Sequence, residues 1–340
     1  MAARKTSRRS GEGSAEDRLI AKYFRPLATH PGALGLGDDA ALVAVPPGRD
    51  LVVTTDGVIE GVHFFPDDPP ELVAKKALRI NLSDLAGKGA EPLGFLLSVA
   101  LTRKAAGGWL ARFTAGLRAD VRKFRCPLLG GDTDRTSGLV SVNIAALGTV
   151  PRGAMVRRAG ARSGDRIVVT GTIGDAALGV ILRRDPAAAK RWGLDRAMRE
   201  HLLQRYLVPE PRTALAAALR ACAHGGMDIS DGLAGDLAKL CRASGVGATI
   251  EVAHLPLSRA ARTALAAEPT LIETILTGGD DFEVLASVSA DKLDALRQAA
   301  RRVGVTISEI GRCTRARGDP RFVDAQGRVL EFARPSYSHF

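Results

Sequence analysis

Hydrophobic and polar positions follow two periods along this chain, and they predict strands and helices in both halves. Residues 15–24 predict a short helix. Residues 51–55 (LVVTT) form an apolar, β-rich run that stops at Asp56-Gly57, and they predict a strand. Residues 71–85 place Leu72, Val73, Leu78, Ile80, Leu82 and Leu85 at helical spacing, with Lys76 as a break in the stripe. Residues 93–101 (LGFLLSVAL) are nearly all apolar and predict a buried strand. A helix over 107–124, a short strand over 127–130 running into Gly131-Asp132, and a long strand over 139–149 follow. Residues 151–165 are rich in Gly, Arg and Pro and have no period, which marks a domain boundary. Beyond it the pattern predicts strands at 166–170, 248–252, 282–288 and 306–310. It predicts helices at 175–182, 195–207, 211–222, 233–244 and 291–303, and a hairpin over 322–332 around Gln326-Gly327. The irregular mixture implies an α/β (α+β) fold in two domains, 15–150 and 151–340, behind a disordered basic tail over 1–14.

A length of 340 residues agrees with two domains and allows a large core without staples. No apolar run approaches the roughly 18 residues of a membrane span, so an integral membrane helix is not expected. The four cysteines, Cys126, Cys222, Cys241 and Cys313, lie far apart with no CxxC pair. They are expected to be reduced, buried thiols of a cytoplasmic protein, which removes a zinc ribbon and a disulfide scaffold. The net charge of +11 raises nucleic acid as a partner, but the charge is spread out and aromatics are only 4%. A base-stacking platform is therefore poorly supplied, and a protein that handles polyanionic phosphates explains the charge equally well.

One feature recurs where apolar runs end: a small residue followed by a carboxylate. It occurs at Gly37-Asp38-Asp39, Thr55-Asp56-Gly57, Ser83-Asp84, Gly131-Asp132, Asp228-Ile229-Ser230-Asp231-Gly232 and Gly279-Asp280-Asp281. Any one instance fits a turn or helix cap. Six of them across both halves imply converging acids, and convergence is tolerated when cations neutralise it. Carboxylates with hydroxyls such as Thr54, Thr55, Ser83 and Ser230, and no His/Cys cluster, select magnesium over zinc or copper. Magnesium retains water and phosphate oxygens in its shell, which points to a bound nucleotide. The chain has no P-loop, no strand-linked GxGxxG, no protein-kinase motifs and no GxSxG. His63 lies seven residues beyond Asp56 and is the one histidine set among these motifs, and Arg158 in the boundary segment is a candidate phosphate clamp.

In their order, these motifs resemble thiamine-monophosphate kinase, of the superfamily of aminoimidazole-ribonucleotide synthetase and selenophosphate synthetase. The stretches are GLGDDAALV, VVTTDGVIEGVHF, KALRINLSDLAGKGAEP, LLGGDTDR, RRAGARSGD, VVTGTIGDAALG, MDISDGLAGDL, LTGGDDFEV and the terminal SYSHF. The resemblance spans about residues 15–340 and implies ATP-dependent phosphorylation of thiamine monophosphate to thiamine diphosphate. The alternative within the superfamily is a selenophosphate- or aminoimidazole-ribonucleotide-synthetase-like ATPase. No cysteine precedes Cys126, which argues against the former. The resemblance also implies an N-terminal sheet domain that dimerises, a C-terminal α/β domain and a cleft between them. It assigns magnesium to Asp39, Thr54, Thr55, Asp56, Asp84, Asp132, Asp228 and Asp231. It assigns ATP to Gly131, Asp132, Arg158 and Ser230, and the thiamine substrate to His63, Asp280 and Tyr337. A monovalent cation stays open as a further requirement, and neither a general base, nucleic acid nor a membrane is implied. The chain departs from the family at Asp280, where the usual residue is Glu. It also lacks a tyrosine near Phe113–Leu117, where some relatives contact ATP.

Overall fold

The computed structural model describes residues 14–103, 105, 107–334 and 336. Helix α1 (Ala15–Leu19) opens the described chain with a capping box: the Asp17 N–H donates to Ser14 Oγ and the Ser14 N–H to Asp17 Oδ2. Ser14 thus belongs to the helix start rather than to a tail. The first half then builds β1 (Arg49–Ile59), α2 (Pro70–Gly87), β2 (Glu91–Leu101), α3 (Gly108–Phe124), β3 (Leu128–Arg135) and β4 (Ser141–Pro151). These four strands form one sheet in the order β1-β4-β2-β3, which leaves β1 and β3 at opposite edges. Helices α2 and α3 cover one face, with Leu78, Leu82, Leu85, Phe95, Phe113 and Ile144 in the core beneath. The opposite face stays open and carries Leu51, Val53, Ile59 and Leu96, all exposed.

The second half contains β5 (Arg166–Thr170), α4 (Asp175–Arg184), α5 (Ala188–Arg191), α6 (Arg196–Leu207), α7 (Ala216–Cys222), β6 (Ala223–Asp228), α8 (Leu233–Ser244) and β7 (Gly247–Glu251). Helices α9 (Arg259–Ala267) and α10 (Leu271–Thr277), strand β8 (Val284–Val288), α11 (Leu293–Arg302), β9 (Ile307–Thr314) and β10 (Arg321–Val323) complete it. Its sheet runs β10-β7-β9-β5-β8-β6 and is buried on both faces, one core including α8 and the other including α7 and α11. All four cysteines are buried and unpaired.

Several expectations need correction. β1 does not stop at Asp56: it continues to Ile59, because β4 offers partners along that whole length, Asp56 opposite Ile144. β3 likewise runs through Gly131 and Asp132, which pair with Leu97 and Ser98 of β2. At Gly131 a Cβ would lie 1.8 Å from the Leu97 carbonyl, so only glycine allows that pairing. Strand β6 (AHGGMD) has no β-branched residue to announce it, and the short helices α9 and α10 also escape the sequence pattern. The helix expected over 211–222 begins at Ala216 after a 3-10 turn. The hairpin over 322–332 reduces to β10, a bridge from Val323 to Val329 and a bond from the Leu330 N–H to the Phe322 carbonyl.

Candidate active site at the crossing of α2 and β6

Helix α2 is the spine of the site. Proline occupies its first turn, where a missing N–H costs nothing. Gly89 at φ +66° ends it, with the Gly89 N–H donating to the Ala86 carbonyl and the Ala90 N–H to that of Leu85. The helix then crosses the end of β6 at Gly87, where a Cβ would stand 2.8 Å from the Asp228 nitrogen. That close crossing sets Asp84, one turn earlier, beside Asp228. Just past it the Lys88 ammonium donates to the Gly226 carbonyl at 2.9 Å.

β1 supplies the third wall. Asn81 is fully buried on α2, and its Oδ1 accepts the Asp56 N–H at 2.9 Å. This satisfies a backbone donor on the outer side of an edge strand and fixes where Asp56 stands. Thr54 Oγ1 donates to Asp84 Oδ2 at 2.5 Å, while Thr55 on the other face donates to the Ile144 carbonyl at 3.0 Å. After β6 the chain turns through Ser230 and Asp231, whose N–H groups both donate to the buried carboxylate of Asp236. Asp231 forms an ion pair with Lys239 at 2.5 Å, and Ser336 Oγ donates to its carbonyl at 3.4 Å.

Asp56, Asp84, Asp228 and Asp231 therefore meet from four segments, and their charges perturb one another. Loss of hydration, then Asp84 and Asp231, raise the Asp56 carboxyl to about 7 although its side chain faces solvent. Burial, then Asp84, raise Asp228 well above the usual carboxylate range, opposed by a bond from Ser83 and the charge of Lys88. Burial lowers Lys88, which also feels Arg158, so the exposed Arg158 stands at this crossing too. Cations would offset the mutual repulsion of such a set. Among the described residues no three His, Cys, Asp or Glu side chains enclose an ion unaided. The all-oxygen donors fit magnesium ions whose remaining ligands are water and phosphate.

Asp39, Gly131 and Asp132 line a different cavity, between the N-terminal segment and β3, with Leu36, Leu97 and Leu128 in its walls. Register puts Asp132 in one row with Ser98, Asn143 and Gly57, on the open face, whereas Asp56 shares the covered face with Ile144 and Leu97. Three strand steps of about 4.8 Å separate the two edges, roughly 14 Å. One copy of the chain does not unite these two groups.

A third group borders the acid cluster. His63 follows β1, and its Nδ1 accepts the Ile59 N–H at 3.1 Å, which leaves the proton of a neutral ring on Nε2. Asp280 lies in the loop before β8 at φ +75°, with Phe282 at φ +49°. Its N–H donates to the Ser230 carbonyl, and its carboxylate meets the Lys76 ammonium at 2.8 Å. Lys76 also donates to the His63 carbonyl at 3.0 Å. Tyr337 lies outside the described residues. Sequence reasoning missed Lys76, Asn81, Lys88 and Lys239. Of these, Lys76 and Asn81 did carry a signal, since each is a polar residue set among the apolar positions of α2.

Comparison with known proteins matches residues 37–150 to AIR synthase related protein, N-terminal domain, and residues 162–323 to its C-terminal domain. A thiamine-monophosphate kinase of Caulobacter vibrioides is 40% identical over 324 residues, covering 94% of this chain and 89% of its own. The crystal structure of thiamine-monophosphate kinase from Stenotrophomonas maltophilia K279a superposes with a TM-score of 0.80 at 37% identity, covering 92% of this chain and 96% of its own. AaThiL complexed with AMPPCP and TMP gives a TM-score of 0.74 at 29% identity, with 89% and 91% covered. On both its domains and its whole-length relatives, the chain belongs to the thiamine-monophosphate kinase family of AIR synthase related proteins.

Proposed function

We propose that this chain transfers the γ-phosphoryl group of ATP to the phosphate of thiamine monophosphate, giving thiamine diphosphate and ADP. The observation that carries the reading is the meeting of Asp56, Asp84, Asp228 and Asp231 at one crossing, in a chain of this family. The AaThiL relative holds an ATP analogue together with TMP, which supports the choice of both substrates.

The nucleophile is a phosphate-monoester oxygen. Its second pKa is about 6, so it is ionised at neutral pH and needs no general base. The obstacle is repulsion between two polyanions. Magnesium ions held by Asp56, Asp84, Asp228 and Asp231 with Thr54, and with Thr55 from the face it shares with Asp132, would neutralise that charge and align the phosphates. Thr54 orients the Asp84 carboxylate, and Asn81 fixes Asp56 through its backbone. Arg158 and the backbone around Ser230 take the ATP phosphates. Nε2–H of His63 donates to the acceptor phosphate, and Asp280 lies across from it, with Tyr337 as a further substrate contact. Catalysis is then positioning and electrostatics.

The working form is a homodimer, with 15–150 and 151–340 as its domains. The exposed apolar face of the first sheet supports this, since Val53 is 60% and Leu96 42% exposed there. Pairing two such faces about an axis along the strands lays the β1 edge of one copy over the β3 edge of the other. Asp39, Gly131 and Asp132 of one copy then complete the magnesium and ATP site of the second. Buried, unpaired thiols support a cytoplasmic setting. The test is product analysis: protein, ATP, magnesium and thiamine monophosphate should yield thiamine diphosphate and ADP in equal amounts. ADP with free phosphate and no thiamine diphosphate would overturn the reading.

A further inference from the structure

We propose that Lys76 is the positioning residue of the acceptor side, a single buried cation that sets the two loops carrying His63 and Asp280. The inference rests on the functional reading above and deepens it. Lys76 interrupts the apolar stripe of α2, and its side chain is only 4% exposed. An ammonium is tolerated at such a depth only when it is paired and hydrogen-bonded on its open sides. Three partners do this, each from a different segment. Asp280 Oδ2 lies 2.8 Å away, the His63 carbonyl 3.0 Å, and the Tyr206 ring centroid 4.0 Å.

The three partners come from both halves of the chain, and the Asp280 carboxylate is turned to Lys76 while only its backbone N–H touches the cluster's loop, at the Ser230 carbonyl. His63 belongs to the loop after β1, Asp280 to the loop before β8, and Tyr206 to α6. Tyr206 strengthens the same junction, its hydroxyl donating to the His63 carbonyl at 3.3 Å. The His63 loop is pinned further by Arg183, which pairs with Asp67 and Asp68. Asp280 sits in the left-handed region, where aspartate is accepted more readily than glutamate. Its carboxylate direction is thus set by the Lys76 ammonium and its short arm. Asp84 is eight residues further along α2, about 12 Å at 1.5 Å per residue. Removing Lys76 should therefore disturb the acceptor contacts and leave the nucleotide contacts standing. A mere latch between the two halves would instead weaken both.

The experiment compares the full-length wild type with K76M, K76R, D280N and the double variant K76M/D280N, varying each substrate in turn. K76M should raise KM for thiamine monophosphate about tenfold, the scale of one charge-assisted hydrogen bond, and leave KM for ATP within about twofold. D280N should match it, the double variant should be no worse than either single one, and K76R should recover part of the loss. KM for thiamine monophosphate within twofold of wild type in K76M would overturn the proposal. So would equal rises for both substrates, or effects that multiply in the double variant. If circular dichroism finds K76M unfolded, the cycle of K76R with D280N decides by the same rule. A wild type that makes no thiamine diphosphate overturns the functional reading itself, and this inference with it. An active wild type with an unaffected K76M overturns this inference alone.

Discussion

Two acidic regions lie within a few residues of each other and behave in opposite ways. In the interior, Glu283 is fully buried, and protein donors answer both its oxygens. Arg212 reaches both oxygens, Arg205 donates at 2.8 Å and Thr170 at 2.6 Å. At the crossing of α2 and β6, the acids instead raise each other's affinity for protons, with Lys88 and Lys239 as the lysines near them. Matched buried charge holds a fold together, whereas crowded, under-compensated charge is what a site for cations and phosphates looks like before they bind. The GGDDFE stretch borders both regions: the Asp280 N–H bonds the Ser230 carbonyl beside the crossing while its carboxylate pairs with Lys76, and Glu283 lies in the interior.

The contrast predicts opposite outcomes for two conservative substitutions. Asp84→Asn removes a carboxylate shared by the cluster. Activity should fall about 10²–10⁴-fold, equivalent to about 3–5 kcal/mol of transition-state stabilisation. The melting temperature without ligand should hold or rise, because one member of a repelling set is gone. Lost activity with an equal loss of stability would make Asp84 a structural residue. Glu283→Gln leaves Arg205 and Arg212 without their counter-charge in the interior. A urea titration should show about 3–5 kcal/mol of destabilisation. A stable Glu283→Gln protein that is inactive would move Glu283 into the site.

Much of this contrast was not legible in the sequence. The acids themselves were, because small-residue–carboxylate junctions stand out at the ends of apolar runs. Their grouping was not. Asp56 and Asp132 look alike as strand-end acids, yet strand order and side-chain parity set them at opposite edges and on opposite faces. Asp281 and Glu283 lie in the LTGGDDFEV stretch that carries the family resemblance, while their partners come from elsewhere: the N–H groups of Gly174 and Ala176 for the Asp281 carboxylate, and arginines from α6 and the segment after it for Glu283. Lys76 stood out as a break in a stripe, but its partners lie as far as 204 residues away in the chain. Local periodicity found α2, α3 and α8 because their faces meet neighbours along their whole length. It missed β6, whose place comes from pairing with β8.

Complementation asks whether Asp132 belongs to the open cluster at all. Asp84→Asn and Asp132→Asn proteins should each be nearly inactive. After unfolding together and refolding, half the dimers are mixed, and each has one intact site if Asp132 is contributed by the other copy. About a quarter of wild-type activity should return on that statistical mixing. No recovery, with dimers present by light scattering, would place all the acids of a site in one copy, whereas an Asp132→Asn protein that is active by itself would make Asp132 dispensable.

The smallest effect is in the pH dependence of stability, and it separates the two regions by their response to ligand. Asp56, at about 7 in the folded chain, binds its proton more tightly than it does when unfolded. Its contribution is fully present below the unfolded value of about 3.9 and is lost as pH rises through 7. Asp228 acts in the same direction. In the interior, Asp281 is raised to about 8, first by burial and opposed by the bond it accepts from the Gly174 N–H, so its contribution is lost about one unit higher. The ligand-free protein should therefore melt lower at pH 8 than at pH 6, and Asp56→Asn should flatten the part near pH 7. Because Asp56 is open to solvent, that change should be only roughly 1–3 °C. Magnesium with an ATP analogue should remove the Asp56 part, since bound cations supply the missing charge, and leave the Asp281 part in place. If the ligand flattened both parts, or neither, the division between acids that take up cations and acids that stay within the interior would not hold.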